Sequence, residues 1–141
     1  MSENKEDNKS WLDKKIEELK HYSEAYMGIV DEKRQIEVQY LMVMFELSQK
    51  AENNTILMQE VKTKMDYREA ELYRDIINAY DENGKPIYKN EGQRNNALIM
   101  AKFHDDEYMK LQKEYNELKA ENMAIDNILK GIRAIMRYRE G

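Results

Sequence analysis

The chain has 141 residues, of which 41 % are apolar and 36 % are charged, with a single proline and a formal net charge of −5 at pH 7. This composition predicts one ordinary domain made of long helices, since a β-rich domain of the same length would need many more turn residues. The negative charge argues against a protein that coats nucleic acid, and the absence of cysteine excludes disulfides and thiolate chemistry.

Residues 2–9 are all polar, so we expect residues 1–9 to form a disordered polar tail, followed by a single helical coiled-coil domain over residues 10–141. The N-terminus lacks the apolar core of a signal peptide. The longest apolar run, residues 40–45, is far too short to span a membrane. We therefore expect a soluble protein of the cytoplasm that has no membrane partner.

Residues 10–80 carry apolar side chains at helical spacing, beginning after Ser10, which is expected to cap the first helix. The weakest helical stretch is AENNT at residues 51–55, where Asn54 or Thr55 could cap a second helix. One bent helix and two helices both remain open for this segment, with two preferred.

Self-association is expected on two grounds. A helical hairpin of this length buries little surface in relation to its volume. In addition, the run YLMVMF at residues 40–45 is apolar on every side of a helix. Another helix or a second subunit is therefore expected to cover this run.

A turn, or a short two-stranded clip, is predicted at residues 81–92. Gly84 can adopt a positive φ, and Pro86 cannot continue a helix. Asn90 is expected to cap the next helix, with Gln93 at the capping-box position three residues later. The first interpretation of this stretch is a joint, and the alternative is an exposed tip that contacts a partner. The candidate contact residues at this tip are Lys85, Tyr88, Lys89 and Arg94.

The clearest pattern in the chain is an alternation of apolar spacings of four and three from Ala97 to Met136. It predicts one uninterrupted helix that lies along another helix, with Asn122 as a polar residue that fixes the register. We therefore predict an all-α fold, either a long antiparallel helical hairpin or a three-helix coiled coil, that forms homo-oligomers. The predicted seam consists of Tyr108, Leu111, Tyr115, Leu118, Asn122, Ile125, Leu129 and Ile132.

The C-terminal segment is the most basic part of the chain. Lys130, Arg133 and Arg137 fall on one stripe of the predicted helix. One interpretation is that these cations interact favourably with the helix dipole and keep the surface soluble. The other is that they contact phosphate groups or an acidic protein.

No constellation of residues predicts catalysis, a metal or a cofactor. Glu18 and His21 have the spacing of one half of a carboxylate-bridged di-iron site, but Ala101 stands where the partner glutamate of His104 would be needed. Residues 104–107, HDDE, are interpreted as a solvent-exposed face, because consecutive positions on a helix point in different directions. We therefore expect a protein that is not an enzyme.

Residues 78–141 resemble small helical proteins encoded in the early regions of phages and prophages. The resemblance lies in a turn, an aromatic residue, a helix cap and an arginine just inside a long helix rich in Glu, Lys, Tyr and Leu. Such proteins are often encoded near recombination, single-strand-binding or anti-defence genes. The resemblance implies an accessory or inhibitor of a nuclease, an anti-phage defence complex or a recombination complex in the host cytoplasm. The matching residues are Asn83, Gly84, Lys85, Pro86, Tyr88, Asn90, Glu91 and Arg94.

Three functions follow as hypotheses. The leading one is an oligomeric protein-binding protein without enzymatic activity, whose acidic helices compete with nucleic acid for a basic groove on a nuclease or other DNA-processing target. The second is direct binding of nucleic acid through Arg133 and Arg137. The third is a structural scaffold or assembly chaperone.

Overall fold

The computed structural model describes residues 11–27 and 32–140, which form four α-helices and no strand. The all-α prediction is confirmed. The predicted tail at residues 1–9 and the predicted cap Ser10 lie outside the described residues. None of the described helices is long and apolar enough to cross a membrane. The helices are α1 at Trp11–Met27, α2 at Glu32–Ile77, α3 at Glu91–His104 and α4 at Asp106–Glu140.

These helices are divided between two compact units. The central unit is Asn53–Met123, and the terminal unit is formed by Met1–Glu52 together with Ala124–Gly141. Helices α2 and α4 each contribute residues to both units, whereas α1 belongs to the terminal unit and α3 to the central one. The single domain predicted for residues 10–141 stays a prediction.

Helix α2 continues without a break through residues 51–55, so the prediction that Asn54 or Thr55 caps a second helix is wrong. The Asn54 side chain is instead buried, with 1 % of the residue exposed. Its Nδ2 donates hydrogen bonds to Glu121 Oε1 at 2.9 Å and to Asn122 Oδ1 at 3.0 Å. These bonds to α4 outweigh the low helix propensity of asparagine, which by itself favours a helix end.

The central unit has a small apolar core between α2 and α4. Val61 and Met65 of α2 are buried with Tyr108 of α4. Because Val61 and Met65 are four positions apart, they lie on the same face of α2. The partly buried residues that pack against this core are Leu111, Tyr115 and Leu118.

Within the central unit, α2 and α4 run in opposite directions. Asn54 of α2 is bonded to Asn122 of α4, whereas Arg68, further along α2, is bonded to Asp105 just before α4 begins. Residues later in α2 therefore contact residues earlier in α4, as expected for two antiparallel helices.

All eight predicted seam residues are buried or half-buried in the described structure. The helical segment from Ala97 to Met136 is interrupted, because α3 ends at His104 and α4 starts at Asp106. The prediction of one continuous helix is therefore wrong, and its physical reason lies in the contacts of Asp105 described below. Buried seam residues are Tyr108, Ile125, Leu129 and Ile132, and half-buried ones are Leu111, Tyr115, Leu118 and Asn122.

The apolar run at residues 40–45 is only partly covered in the single chain. Leu41 and Val43 are 36 % and 43 % exposed, and the other four positions of the run are half-buried. Covering by a further helix or a second subunit stays a prediction.

Candidate functional site

A compact turn connects α2 to α3. The Asp81 Oδ1 atom accepts hydrogen bonds from the backbone N–H groups of Asn83 and Lys85 at 2.8 and 2.9 Å. Gly84 has a φ of 74°, the left-handed conformation that the sequence predicted for it. An isolated β-bridge between Tyr80 and Pro86 closes the turn. The local chemistry of an Asx turn and a glycine is thus sufficient to reverse the chain here.

Asn90 caps α3, which confirms the sequence prediction. Its side-chain Oδ1 accepts a hydrogen bond from the backbone N–H of Gln93 at 2.8 Å. Gln93 Oε1 in turn accepts one from the backbone N–H of Lys89 at 2.7 Å. The two bonds hold the first turn of α3 in place, and with it the directions in which the α3 side chains point.

Asp105 separates α3 from α4. Its φ of −89° and ψ of 113° are not helical. Its Oδ2 atom accepts a hydrogen bond from the backbone N–H of Tyr108 at 2.8 Å, as an N-cap of α4 does. Arg68 of α2 donates to both carboxylate oxygens, at 2.9 and 2.6 Å. The interpretation of residues 104–107 as a solvent-exposed face is therefore wrong for Asp105, because its carboxylate is bonded both to α2 and to the first turn of α4.

These contacts favour the charged forms of the side chains that link α2 to the start of α4. The hydrogen bonds from Arg68 hold the pKa of Asp105 below its usual value; burial opposes this effect, and the Tyr108 N–H supports it. The same pairing raises the pKa of Arg68. Lys102 of α3 donates a hydrogen bond to Glu69 of α2 at 3.0 Å, and its Nζ lies 5.3 Å from the centroid of the Tyr108 ring. Lys102 of α3 is thus already paired with α2.

The other side of α3 is apolar and exposed. Ile99, Met100 and Phe103 are 61 %, 56 % and 67 % exposed, and we call these three residues the α3 apolar surface. An open groove of about 590 Å³ adjoins Met100 and is also lined by Ile76, which comes from the end of α2. A second groove of about 360 Å³ adjoins Ile99 and Phe103, beside Met109.

The predicted contact residues of the tip do not all join this surface. Tyr88 is half-buried and lines the larger groove. Arg94 is half-buried, and Lys85 and Lys89 are exposed, but none of these three lines either α3 groove. The structure therefore places one of the four predicted residues at the α3 apolar surface.

The sequence reasoning missed the α3 apolar surface because it followed a single stripe of the helix. The predicted stripe passes through Ala97 and Ala101, and both of these residues are half-buried. Ile99, Met100 and Phe103 lie off that stripe, and large apolar residues outside the main stripe of a helix are the signal that could have revealed a second apolar face.

In the terminal unit, the three residues of the predicted basic stripe have different surroundings. Lys130 pairs with Asp126, one turn earlier on α4, at 2.8 Å. Arg133 and Arg137 are exposed, and neither forms an ion pair or a hydrogen bond with any residue that the structure describes. Both arginines line an open groove of about 510 Å³ in this unit. The other residues that line it are Leu41, Met44 and Met136.

Comparisons of the chain with known protein families, with curated proteins and with solved structures found no match in any of the three. Within residues 11–27 and 32–140, no three histidine or acidic side chains are grouped so that they could hold a metal ion. The exposed surfaces of the two units are therefore the features from which a function can be inferred.

Proposed function

We propose that the chain is a protein-binding protein without enzymatic activity, and that it pairs with a second copy of itself through the α3 apolar surface. The observation that carries this proposal is the distribution of apolar side chains. Among the described residues, seven hydrophobic side chains are buried and twenty large ones are exposed. Each square ångström of apolar surface removed from water contributes about 25 cal/mol, so contact with another protein is strongly favoured.

The α3 apolar surface has the properties of an interface centre. Its residues are adjacent on one helix, and a groove lies on either side of them. Aromatic and methionine side chains are enriched at such centres, because they offer a large contact area and, in the case of methionine, adaptable packing. Side chains of a partner that enter the two grooves would surround Met100 and Phe103.

A second copy is the partner that fits this surface best. A two-fold symmetric contact brings the same surface of both copies together, so any unpaired charge near its centre would lie close to the identical charge of the other copy. Lys102 of α3, next to Phe103, and Asp105, two residues after Phe103, are already paired with Glu69 and Arg68 of the same chain. In a contact of two copies at Ile99 and Phe103, Lys102 and Asp105 would therefore not act as unpaired like charges.

Sedimentation equilibrium tests this proposal. The wild-type chain is expected to form a dimer, and the double variant Ile99→Glu/Phe103→Glu is expected to weaken the dimer at least a hundredfold, on the order of two interface hot spots. The control Asn53→Glu/Asn127→Glu adds the same charge at exposed polar positions outside α3 and is expected to dimerise like the wild type.

Each outcome decides between functions. Circular dichroism of both double variants reports whether the helices are retained. A wild-type chain that stays monomeric at every concentration would refute pairing through α3. Open-ended growth into large assemblies would favour the scaffold hypothesis instead.

We further propose that the target of this protein is a nuclease, an anti-phage defence complex or a recombination complex. This narrower statement is supported by the resemblance of residues 78–141 to phage early-region proteins. The test is digestion of linear double-stranded DNA by a purified recombination nuclease, with and without the chain. Inhibition would support the narrower proposal, and unchanged digestion at saturating chain would refute that recombination nuclease as the target without bearing on the pairing through α3.

A further inference from the structure

A second surface of the molecule differs in chemistry from the α3 apolar surface. It is the open groove of the terminal unit lined by Leu41, Met44, Arg133, Met136 and Arg137, which we call the arginine groove. We propose that the arginine groove binds an acidic amphipathic helix of a partner protein. This inference rests on the proposed protein-binding function and specifies the chemistry of one partner.

An occupant that packs against the apolar part of the groove must itself have an apolar face. Leu41 and Met44 are three positions apart on α2, so they point to the same side, and Met136 of α4 completes the lining. Leu41 also belongs to the apolar run at residues 40–45, which remains partly exposed in the single chain. A helix laid into an open groove between two helices buries its apolar stripe there, and methionine side chains adapt to its shape.

The charged part of the groove calls for carboxylates on the occupant. Arg133 and Arg137 are one helical turn apart, both are exposed, and no described residue neutralises either of them. Guanidinium groups pair with carboxylates through two parallel hydrogen bonds. Two acidic residues one turn apart on the partner helix, beside its apolar stripe, match this spacing.

The same features argue against two other occupants. A two-fold contact of two copies centred on the groove would bring the arginines of both copies together, and their repulsion disfavours it. Nucleic acid would pair its phosphates with Arg133 and Arg137 but would leave Leu41, Met44 and Met136 without apolar contacts. A protein helix satisfies both halves of the groove at once.

Fluorescence anisotropy of the full chain with labelled synthetic helices tests the inference. The probe has leucine at alternating spacings of three and four and glutamate pairs one turn apart along the edge of this stripe. One control probe replaces every glutamate by lysine, and the other replaces every leucine by serine. Only the acidic probe with the intact leucine stripe is expected to bind.

A pair of charge-matched variants assigns the binding to the groove. Arg133→Glu/Arg137→Glu is expected to weaken binding of the acidic probe at least about tenfold, since two exposed ion pairs are lost and replaced by repulsion. Lys113→Glu/Lys119→Glu makes the same change of charge at exposed positions of α4 in the central unit. This control is expected to bind the probe like the wild type.

Several results would overturn the inference. It fails if the acidic probe does not bind, or if the two double variants bind it equally well. It also fails if labelled single-stranded DNA, but no helix, binds in a manner that depends on Arg133 and Arg137. Loss of the dimer in Arg133→Glu/Arg137→Glu without probe binding would identify a second copy as the occupant. Failure of pairing through α3 is read separately, from the Ile99→Glu/Phe103→Glu variant.

Discussion

Arg68 of α2 donates hydrogen bonds to both carboxylate oxygens of Asp105, at 2.9 and 2.6 Å, at the point where α3 ends and α4 begins. The same carboxylate accepts a hydrogen bond from the backbone N–H of Tyr108 and so caps α4. One side chain therefore joins α2 to the start of α4 and also satisfies the first turn of α4. Point substitutions can separate these two roles.

Substitution of Asp105 by asparagine and by alanine is expected to destabilise the chain in two steps. Asparagine keeps a capping oxygen but loses the charge that pairs with Arg68, whereas alanine loses both. We expect Asp105→Ala to be less stable than Asp105→Asn by about 1 kcal/mol, the usual contribution of an N-cap. Urea unfolding followed by circular dichroism measures the difference. Equal stabilities of the two variants would contradict the capping role, and the exposed neighbour variant Asp106→Asn is the control for loss of a nearby charge.

The Asp105 carboxylate should also make stability depend on acid pH. Because its pKa is lower in the folded chain than in the unfolded one, its contribution is present above the unfolded value, about 4. The contribution is lost as the pH falls from there through the lowered folded pKa. The free energy of unfolding, measured by urea at a series of acidic pH values, is expected to fall less steeply in Asp105→Asn than in the wild type. Parallel curves for the two proteins would exclude this role.

The buried amide of Asn54 offers a comparison with its neighbour Asn53. Asn54→Asp replaces two donated hydrogen bonds by a carboxylate that faces Glu121, whereas Asn53 is exposed. We expect Asn54→Asp to lower the free energy of unfolding by about 2 kcal/mol and Asn53→Asp to leave it nearly unchanged. The loss of stability in Asn54→Asp should be smaller at low pH, since a protonated carboxyl group can again donate a hydrogen bond. Chemical denaturation of both variants checks this, and similar losses in the two would mean that Asn54 is not buried against α4.

Two glycine-to-alanine substitutions are expected to change the free energy of unfolding in opposite directions. Gly84 has a φ of 74° in the turn, so Gly84→Ala is expected to cost about 1 kcal/mol even though the added Cβ would meet no atom within 4 Å. Gly131 lies inside α4 with equally open space around its added Cβ. Gly131→Ala is therefore expected to gain about 0.5–1 kcal/mol through helix propensity. Thermal unfolding of both variants measures the signs, and a stabilising Gly84→Ala would contradict the left-handed turn.

Local signals were correctly read at the turn and at the start of α3, where a few consecutive residues contain the whole physical cause. Asn90 caps α3 through a bond to Gln93 three residues later, and Gly84 adopts the positive φ expected of a glycine in a turn. Asp105 carried a local signal as well, because Asp106 and Glu107 follow it as acids in a first turn. The regular apolar spacing across this point concealed that signal and predicted a continuous helix.

The sequence by itself determined that the described chain is all helical and where the turn and the start of α3 lie, since helix propensity, capping and turn chemistry act between close neighbours. Only the tertiary structure decided that Asn54 is buried and that α2 continues through it, because its bonding partner Asn122 lies on another helix. It also decided that Phe103 is exposed. Which face of an amphipathic helix is covered depends on the surface that lies opposite, and that surface comes from residues distant in the chain.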